Sequence, residues 1–562
     1  MSGVLRELSV LSLDCQASGA SPSYGDLIEL GWAICTPAGL VGGVRSTWIL
    51  PRTERRVPRA VRELTGWSEA CSESAIDETR AWNIVRGACS ELGPRDAPAP
   101  TVIHFARFEL AFLRDLHERL GDAAFPLDAV CVHAIAERLF PDLPRRSLRA
   151  LAGFLGHSPE LIRRAAGHVE ATAFIWRALI PLLEGEGVTT WTELKQWLEQ
   201  PAARSRRTRR QFPFDAERRR ALPDRPGVYR FVRKSGDILY VGKATSLKKR
   251  VAGHFKSKGP ATERGLELLT QVHDIVYTET ASLLEAALLE TDEIKRIDPP
   301  YNVQLRAYDR RAWFASRDLT DVVDAPGAAH PVGPLPSERA VSPLPALAAL
   351  LRGEAPTARL RAMALAVPSA FAPDDALFLD GWSGFCAEVL DRLGGTASPP
   401  LVRVERAARG LWLERGRAES DAAPEDAPPD FWDLARVRRR LERSLVQSGL
   451  LLRRARFLCL LADATVAFRE RAMIAARALV MSSAALVESA DLDSVHDLTR
   501  LAARKPHALG ERRRSFDAAA YDRLRVILTE LCRIRDEGGE MALAVGGHVF
   551  AGERLSRLML GV

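Results

Sequence analysis

The chain has 562 residues, 47% hydrophobic and 27% charged, with a formal net charge of +7. That balance excludes a disordered or fibrous protein and gives room for roughly three or four domains, each with its own core. No apolar run is long enough to span a bilayer. The eight scattered cysteines form no CxxC pair and no metal-ligand spacing. The expectation is a reduced, cytoplasmic setting without structural zinc. Arg6 and Glu7 in the first strand-like stretch argue against a signal peptide, and no internal repeat is visible. The modest positive charge suits a nucleic-acid ligand, although arginine-rich composition alone carries little weight.

At the amino end, LSVLSLDCQASG followed by LIELGWAIC reads as strand, loop, strand. VIHFARFELAFLRDL, PLDAVCVHAIAERLFPDLPRRSLRALAGFLG and RRAAGHVEATAFIW follow. In order and spacing these segments resemble the DnaQ-type 3′–5′ exonucleases, the DEDD family. The resemblance covers most of residues 8–180 and implies an RNase H-like fold over 1–185. Those enzymes place four carboxylates around two metal ions and use a histidine to activate water. Asp14 keeps the first carboxylate. Gln16 replaces the second, Glu109 stands where an aspartate is expected, and His168 takes the position of the last aspartate. Arg163 falls where the general-base histidine would be. Two divalent ions facing two carboxylates and an arginine would be under-compensated. The implied domain is catalytically silent and retained for DNA binding, docking or scaffolding. The alternatives are a single-metal site using His168 and Glu109, or Glu170 in place of His168 if the helix register differs by two.

Residues 186–221 read as a linker that passes through the helical TWTELKQWLEQ into RSRRTRRQFPFDAERRR. Arg206, Arg207, Arg209 and Arg210 in that run are either a solvated tether or contacts to phosphates.

GVYRFVRKSGDILYVGKA reads as a β-hairpin turning at Lys234-Ser235-Gly236-Asp237. Alternation puts Tyr229 and Phe231 on one face of the first strand, and Ile238, Tyr240 and Gly242 on one face of the second. Thr245 or Ser246 caps a helix with Leu247, Val251 and Phe255 as its core stripe, and Arg250 and His254 one turn apart. A second helix, Ser282 to Ile297, carries Glu290 in line with Leu283, Ala287, Ile294 and Ile297. A carboxylate in an apolar stripe needs an ion-pair partner or a metal.

Residues 222–302 resemble the GIY-YIG nucleases, most closely the catalytic module of UvrC and its relative Cho. Gly227-Val228-Tyr229 stands for the first signature and Tyr240-Val241-Gly242 for the second. Lys243, Arg250, Glu290 and Asn302 occupy the family's functional positions. His254 stands where UvrC has tyrosine, and other GIY-YIG endonucleases carry histidine there. The resemblance implies that Glu290 holds one Mg²⁺ or Mn²⁺, that Arg250 grips the phosphate and that Tyr240, favoured as phenolate by Lys243, is the general base. Tyr229 and His254 would orient the water, with hairpin core as the plainer reading of Tyr229. Asn302 would fix geometry. Lys248 and Lys249, beside Arg250, are expected to contact DNA.

The expected layout is an α/β multi-domain protein. An RNase H-like exonuclease fold (1–185) and a linker (186–221) precede a small α/β GIY-YIG domain (222–310). A connecting region with Pro/Gly-rich linkers (311–430) leads to an α+β carboxy-terminal domain (431–562). In the last, PDFWDLARVRRRLERSLVQ reads as a helix striped by Leu434, Val437, Leu441 and Leu445, with Arg436, Arg438, Arg439 and Arg440 on its other sides. ARFLCLLADATVAFRE and RALVM read as strands. Nothing there resembles the helix-hairpin-helix, RNase H-like or UvrB-binding segments of full-length UvrC, which argues against a complete dual-incision enzyme. The resulting expectation is a cytoplasmic DNA endonuclease making one single-strand incision, with DNA, UvrA and UvrB as partners. Its rivals are a dual nuclease with a working exonuclease domain and a DNA-binding scaffold.

Overall fold

The computed structural model describes residues 3–52, 57–93, 97–120, 124–157, 163–201, 212–256, 262–303, 312–415, 432–471, 473–497 and 518–560. The chain divides into two compact units, Met1–Leu283 with Pro299–Asn302, and Leu284–Asp298 with Val303–Val562. As expected, it is an α/β multi-domain protein.

The first unit opens on five strands, β1 (Val10–Ala17), β2 (Leu27–Thr36), β3 (Gly39–Trp48), β4 (Ala99–Ile103) and β5 (Leu127–Cys131). They lie in the order β3-β2-β1-β4-β5. β1, β2 and β3 pair antiparallel, while β4 and β5 run parallel to β1, the sheet of an RNase H-like fold. Strand alternation divides the labour of β1. Leu11, Leu13 and Cys15 enter the core shared with helices Glu78–Ser90 and Ala106–Leu120. Ser12 points the other way and donates from Oγ to the Val169 carbonyl at 3.0 Å, on helix Ala165–Gly185. Asp14 and Gln16 share its parity, so β1 delivers both to that face.

The segment expected to open the linker instead completes this domain. Helix Trp191–Glu199 buries Trp191 and Leu194 in the same core as Trp176, and Trp191 donates its indole N–H to Asp128 at 2.9 Å.

A second sheet holds β6 (Gly227–Val232), β7 (Ile238–Ala244) and β8 (Asp274–Glu279) in the antiparallel order β7-β6-β8. Gly236 turns the hairpin at φ +95°, a conformation that favours glycine. Ser246 caps helix Leu247–His254, accepting from the Lys249 amide at 3.2 Å, and Leu247, Val251 and Phe255 are buried. Arg206, Arg207, Arg209 and Arg210 lie outside the described residues.

The second unit departs further from the expectation. Residues 312–415 are not a connector. They form a three-stranded sheet, order β10-β9-β11 (Val322–Val323, Trp313–Ala315, Val332–Leu335), and several helices around one apolar core. The uniformly apolar PLPALAALL at Pro343–Leu351 is a buried helix, which periodicity could not distinguish from a strand or a spacer. Helix Leu434–Leu461 then continues through ARFLCLL, where a strand was expected, and is followed by the strand β12 (Thr465–Arg469). Val437, Leu441 and Leu445 form its buried stripe. Leu434 is exposed, and Arg436 is buried with its guanidinium 5.2 Å from the Trp432 ring. With β13 (Ala476–Ser482), β14 (Ala485–Leu492), β15 (Glu540–Val545) and β16 (His548–Ala551), β12 forms a five-stranded antiparallel sheet, order β14-β13-β12-β15-β16, which closes the unit. No helix among the described residues is long and apolar enough to cross a membrane.

Candidate active sites

The exonuclease-like site assembles from three elements. β1 supplies Asp14 and Gln16, helix Ala106–Leu120 supplies Glu109, and helix Ala165–Gly185 supplies His168. Asp14, Gln16 and Glu109 are all buried. His168 Nδ1 lies 3.0 Å from Asp14 Oδ1, and Glu170 is exposed on the same helix. Glu109 accepts from the Cys15 amide at 3.0 Å. Burial first, and then the neighbouring Asp14 carboxylate, hold the Glu109 carboxyl well above the usual range. Gln16 donates its side-chain amide to the Arg163 carbonyl at 2.7 Å, which leaves the Arg163 side chain exposed. Two divalent ions would require several anionic oxygens here. Two carboxylates, of which Glu109 is held toward its neutral form, with an amide and an imidazole do not meet that requirement. Among the described residues, no group of three or more His, Cys, Asp or Glu side chains is arranged to hold a metal.

The hairpin site is built around two close backbone approaches. Tyr229 pairs across the strands with Gly242, and Phe231 with Tyr240. A Cβ on Gly242 would lie 2.6 Å from Tyr229 Oη and 2.7 Å from a Tyr240 ring carbon, so glycine is what lets the two phenols converge. A Cβ on Gly227 would meet the Thr278 carbonyl oxygen of β8 at 2.3 Å. Tyr229 is fully buried, yet its hydroxyl is 2.7 Å from His254 Nε2. The Tyr229 and Tyr240 rings are 6.0 Å apart, as are those of Tyr240 and His254.

Electrostatics sort these groups. Burial raises the Tyr229 phenol, with Tyr240 adding to it. Burial and then the Arg250 guanidinium push His254 down to about 4. Both are uncharged near neutral pH, so the pair is a phenol against a neutral imidazole. Tyr229, and further Tyr240, hold Arg250 more firmly in its charged form. Lys243 is half-buried opposite Val228. Lys248 and Lys249 are exposed, Lys249 being 3.4 Å from Asp224.

Asn302 clamps the hairpin. Its Nδ2 donates to the Val241 carbonyl at 2.9 Å and its Oδ1 accepts from the Val241 amide at 3.0 Å. The peptide between Tyr240 and Gly242 is thereby fixed from both sides. Tyr301, which sequence reasoning passed over, anchors the same turn. Its hydroxyl donates to Glu267 at 2.8 Å and accepts from the buried Gln271 at 2.5 Å. An aromatic directly before the asparagine was the available signal.

Glu290 is half-buried on helix Leu283–Ile297, whose residues from Leu284 onward belong to the second unit. Leu284 and Leu288 enter the carboxy-terminal core. Neighbouring acids on that helix are taken by arginines, Asp292 by Arg523 and Glu285 by Arg477. Glu290 offers a hard carboxylate donor of the type that suits Mg²⁺ or Mn²⁺ with water and phosphate completing the shell.

The UvrC-like GIY-YIG domain family matches residues 225–303. A Mycobacterium tuberculosis protein, named provisionally as a bifunctional exonuclease/endonuclease, is 29% identical over 62% of this chain and 53% of its own length. UvrABC system protein C of Neisseria meningitidis serogroup B is 48% identical over 85 residues, 15% of this chain and 14% of that protein. The chain thus spans about half the length of the first relative and a small part of the second. Among solved structures, the GIY-YIG amino-terminal endonuclease domain of Thermotoga maritima UvrC, bound to its catalytic magnesium, is 31% identical. It covers 16% of this chain and 93% of that one, with a TM-score of 0.14. E. coli exonuclease I with a dA16 oligonucleotide is 12% identical over 40% of this chain and 48% of that one, with a TM-score of 0.29.

Proposed function

We propose, from a chain that carries a UvrC-like GIY-YIG domain across residues 225–303 behind an exonuclease-like region, that this protein is a metal-dependent DNA endonuclease. It makes single-strand incisions in nucleotide excision repair, in the manner of Cho and UvrC. The observation that carries this reading is the convergence of Tyr229 and Tyr240 over Gly242, with His254 hydrogen-bonded to Tyr229 and the Arg250 guanidinium beside the two phenols.

Tyr240 accepts the proton of the attacking water at its phenol oxygen, with Lys243 favouring the phenolate. Tyr229 and His254, neutral and hydrogen-bonded to each other, orient that water. Arg250 grips the scissile phosphate and offsets its growing negative charge. Asn302 keeps the Val241 peptide, and with it the Tyr240 ring, in register. Glu290 is the ligand for one Mg²⁺ or Mn²⁺. Such an ion, when bound, supplies charge neutralisation and a more acidic water. Lys248, Lys249 and the arginines at 206, 207, 209 and 210 would draw DNA toward the site. The exonuclease-like site, formed by Asp14, Gln16, Glu109, Arg163 and His168, is silent in this account. The convergence of Asp14, Glu109 and His168 favours a second reading, in which a single metal there still trims 3′ ends.

DNA is the substrate, UvrA and UvrB the partner class, and the cytoplasm the setting, in keeping with eight free cysteines. The test is nicking of supercoiled plasmid, native and ultraviolet-damaged, in Mg²⁺ or Mn²⁺, with and without UvrA and UvrB. Glu290→Gln should lower nicking by about 10²-fold or more while thermal unfolding is unchanged. Nicking that survives the substitution, or needs no divalent ion, overturns the assignment. Damage-independent nicking that ignores UvrA and UvrB overturns the repair pathway alone.

A further inference from the structure

Helices from three separate stretches of the second unit bring arginines to one cleft. Arg409 comes from Pro400–Arg415, Arg453 and Arg456 from Leu434–Leu461, and Arg554 and Arg557 from Gly552–Leu560. The cleft has a volume of about 590 Å³, with Phe457, Leu460 and Leu558 forming an apolar side. Among the described residues, two of the five guanidiniums pair with carboxylates, one of which, Glu553, also lines the cleft. Arg456 pairs with Glu405 at 2.9 Å, and Arg557 with Glu553 one turn away. Arg554 lies over the Phe550 ring at 4.9 Å, which holds its planar head without neutralising it.

Arg409, Arg456, Arg554 and Arg557 are exposed and Arg453 is half-buried, so like charges crowd one cleft and an anion there would relieve their repulsion. Arg453 shows the cost. Burial, and then the adjacent Arg409, depress its pKa, with Glu405 only partly opposing. Surface arginines that serve solubility alone spread apart; here they come from distant sequence positions onto one concavity. Guanidinium forks match phosphate oxygens in pairs, and several at fixed separation suit successive phosphates rather than one carboxylate.

We infer that this cleft, formed by Arg409, Arg453, Arg456, Arg554 and Arg557, is a second nucleic-acid site that binds backbone phosphates of DNA at a distance from the bond being cut. The inference rests on the nuclease reading for its choice of DNA as the source of the phosphates. Binding by the cleft itself requires no turnover. The apolar side formed by Phe457, Leu460 and Leu558 suits sugar or base surface more than further charge.

The experiment measures binding of a fluorescent 30-nucleotide single strand, and of the same duplex, to the full chain in EDTA across a salt series. Arg409→Glu/Arg554→Glu changes two exposed residues and should fold normally. It is compared with a charge-matched control, Arg80→Glu/Arg86→Glu, both exposed on helix Glu78–Ser90. The cleft variant should bind about tenfold or more weakly, with a salt slope shallower by roughly 0.9 on the duplex and roughly 0.7 on the single strand for each phosphate it no longer neutralises, and the control should stay within about twofold. Equal affinity in wild type and cleft variant, or equal loss in both doubles, overturns the site. In a second arm, inorganic pyrophosphate alone should raise the melting temperature of wild type but not of the cleft variant, and should compete with the oligonucleotide. A pyrophosphate shift with unchanged DNA binding overturns DNA as the ligand. Because the binding series contains no metal, DNA binding through the cleft by a protein that never nicks overturns the nuclease reading alone.

Discussion

At the residue scale, the hairpin site depends on one missing methyl group and one neutral imidazole. Gly242→Ala would drive a Cβ to 2.6 Å from Tyr229 Oη. We expect a loss of about 1–3 kcal/mol in stability and about 10²-fold in incision rate, read by urea unfolding and single-turnover nicking. A glycine-tolerant site would show neither. His254 carries a pH signature. Its folded pKa of about 4 lies below the usual value near ~6.5. The unfolded chain therefore takes up a proton that the folded one refuses as pH falls through that window. Stability is full above about 6.5, declines toward 4 and levels off below. Relative to His254→Phe, wild type should lose about 2 kcal/mol between pH 7 and pH 5. An unchanged difference between those pH values, or an imidazole that titrates near 6.5 by NMR, contradicts the burial argument. These residues were legible in the sequence because GVY and YVG have few other reasons to recur with Arg250, Glu290 and Asn302 at such spacing. The backbone clamp by Asn302 was legible only as a function without a partner, since Val241 contributes peptide atoms that no sequence pattern marks.

At the element scale, helix Leu283–Ile297 is tied to the carboxy-terminal fold by its charges. Lys295 and Asp522 pair at 2.6 Å with side chains only 12% and 4% exposed, and Asp292 meets Arg523. Removing one partner of so buried a pair leaves an uncompensated charge. Asp522→Ala should cost about 3–5 kcal/mol, and Lys295→Met/Asp522→Leu markedly less than that single change. Chemical denaturation of wild type and the two variants checks this; a double variant as unstable as Asp522→Ala would contradict it. The consequence reaches function, because the same helix carries Glu290. The sequence marked this helix correctly but could not show its company: the stripe of Leu283, Ala287, Ile294 and Ile297 passed over Leu284 and Leu288, which enter the carboxy-terminal core. Length and composition misled elsewhere. Leu434–Leu461 was split into helix and strand because its apolar end lost the 3.6-residue rhythm once buried on several sides.

At the scale of the whole molecule, the exonuclease-like fold is preserved where packing demands it and altered where metals would bind. The apolar side of β1 remains a continuous core, while its polar side now carries Asp14 with an imidazole at 3.0 Å and a glutamine tied to a backbone carbonyl. Fold and chemistry thus separate cleanly, which is why the fold class of this region was legible and the region 312–415, without any chemical motif, was not. The central claim is that incision belongs to the hairpin site and that the amino-terminal site is silent. The most direct measurement uses one DNA duplex labelled internally and at a 3′ end, in Mg²⁺ and Mn²⁺, with wild type, Glu290→Gln and Asp14→Ala. Internal cleavage should be abolished by Glu290→Gln and unchanged by Asp14→Ala, with the 3′ label retained throughout. Progressive loss of the 3′ label that disappears only in Asp14→Ala would contradict it.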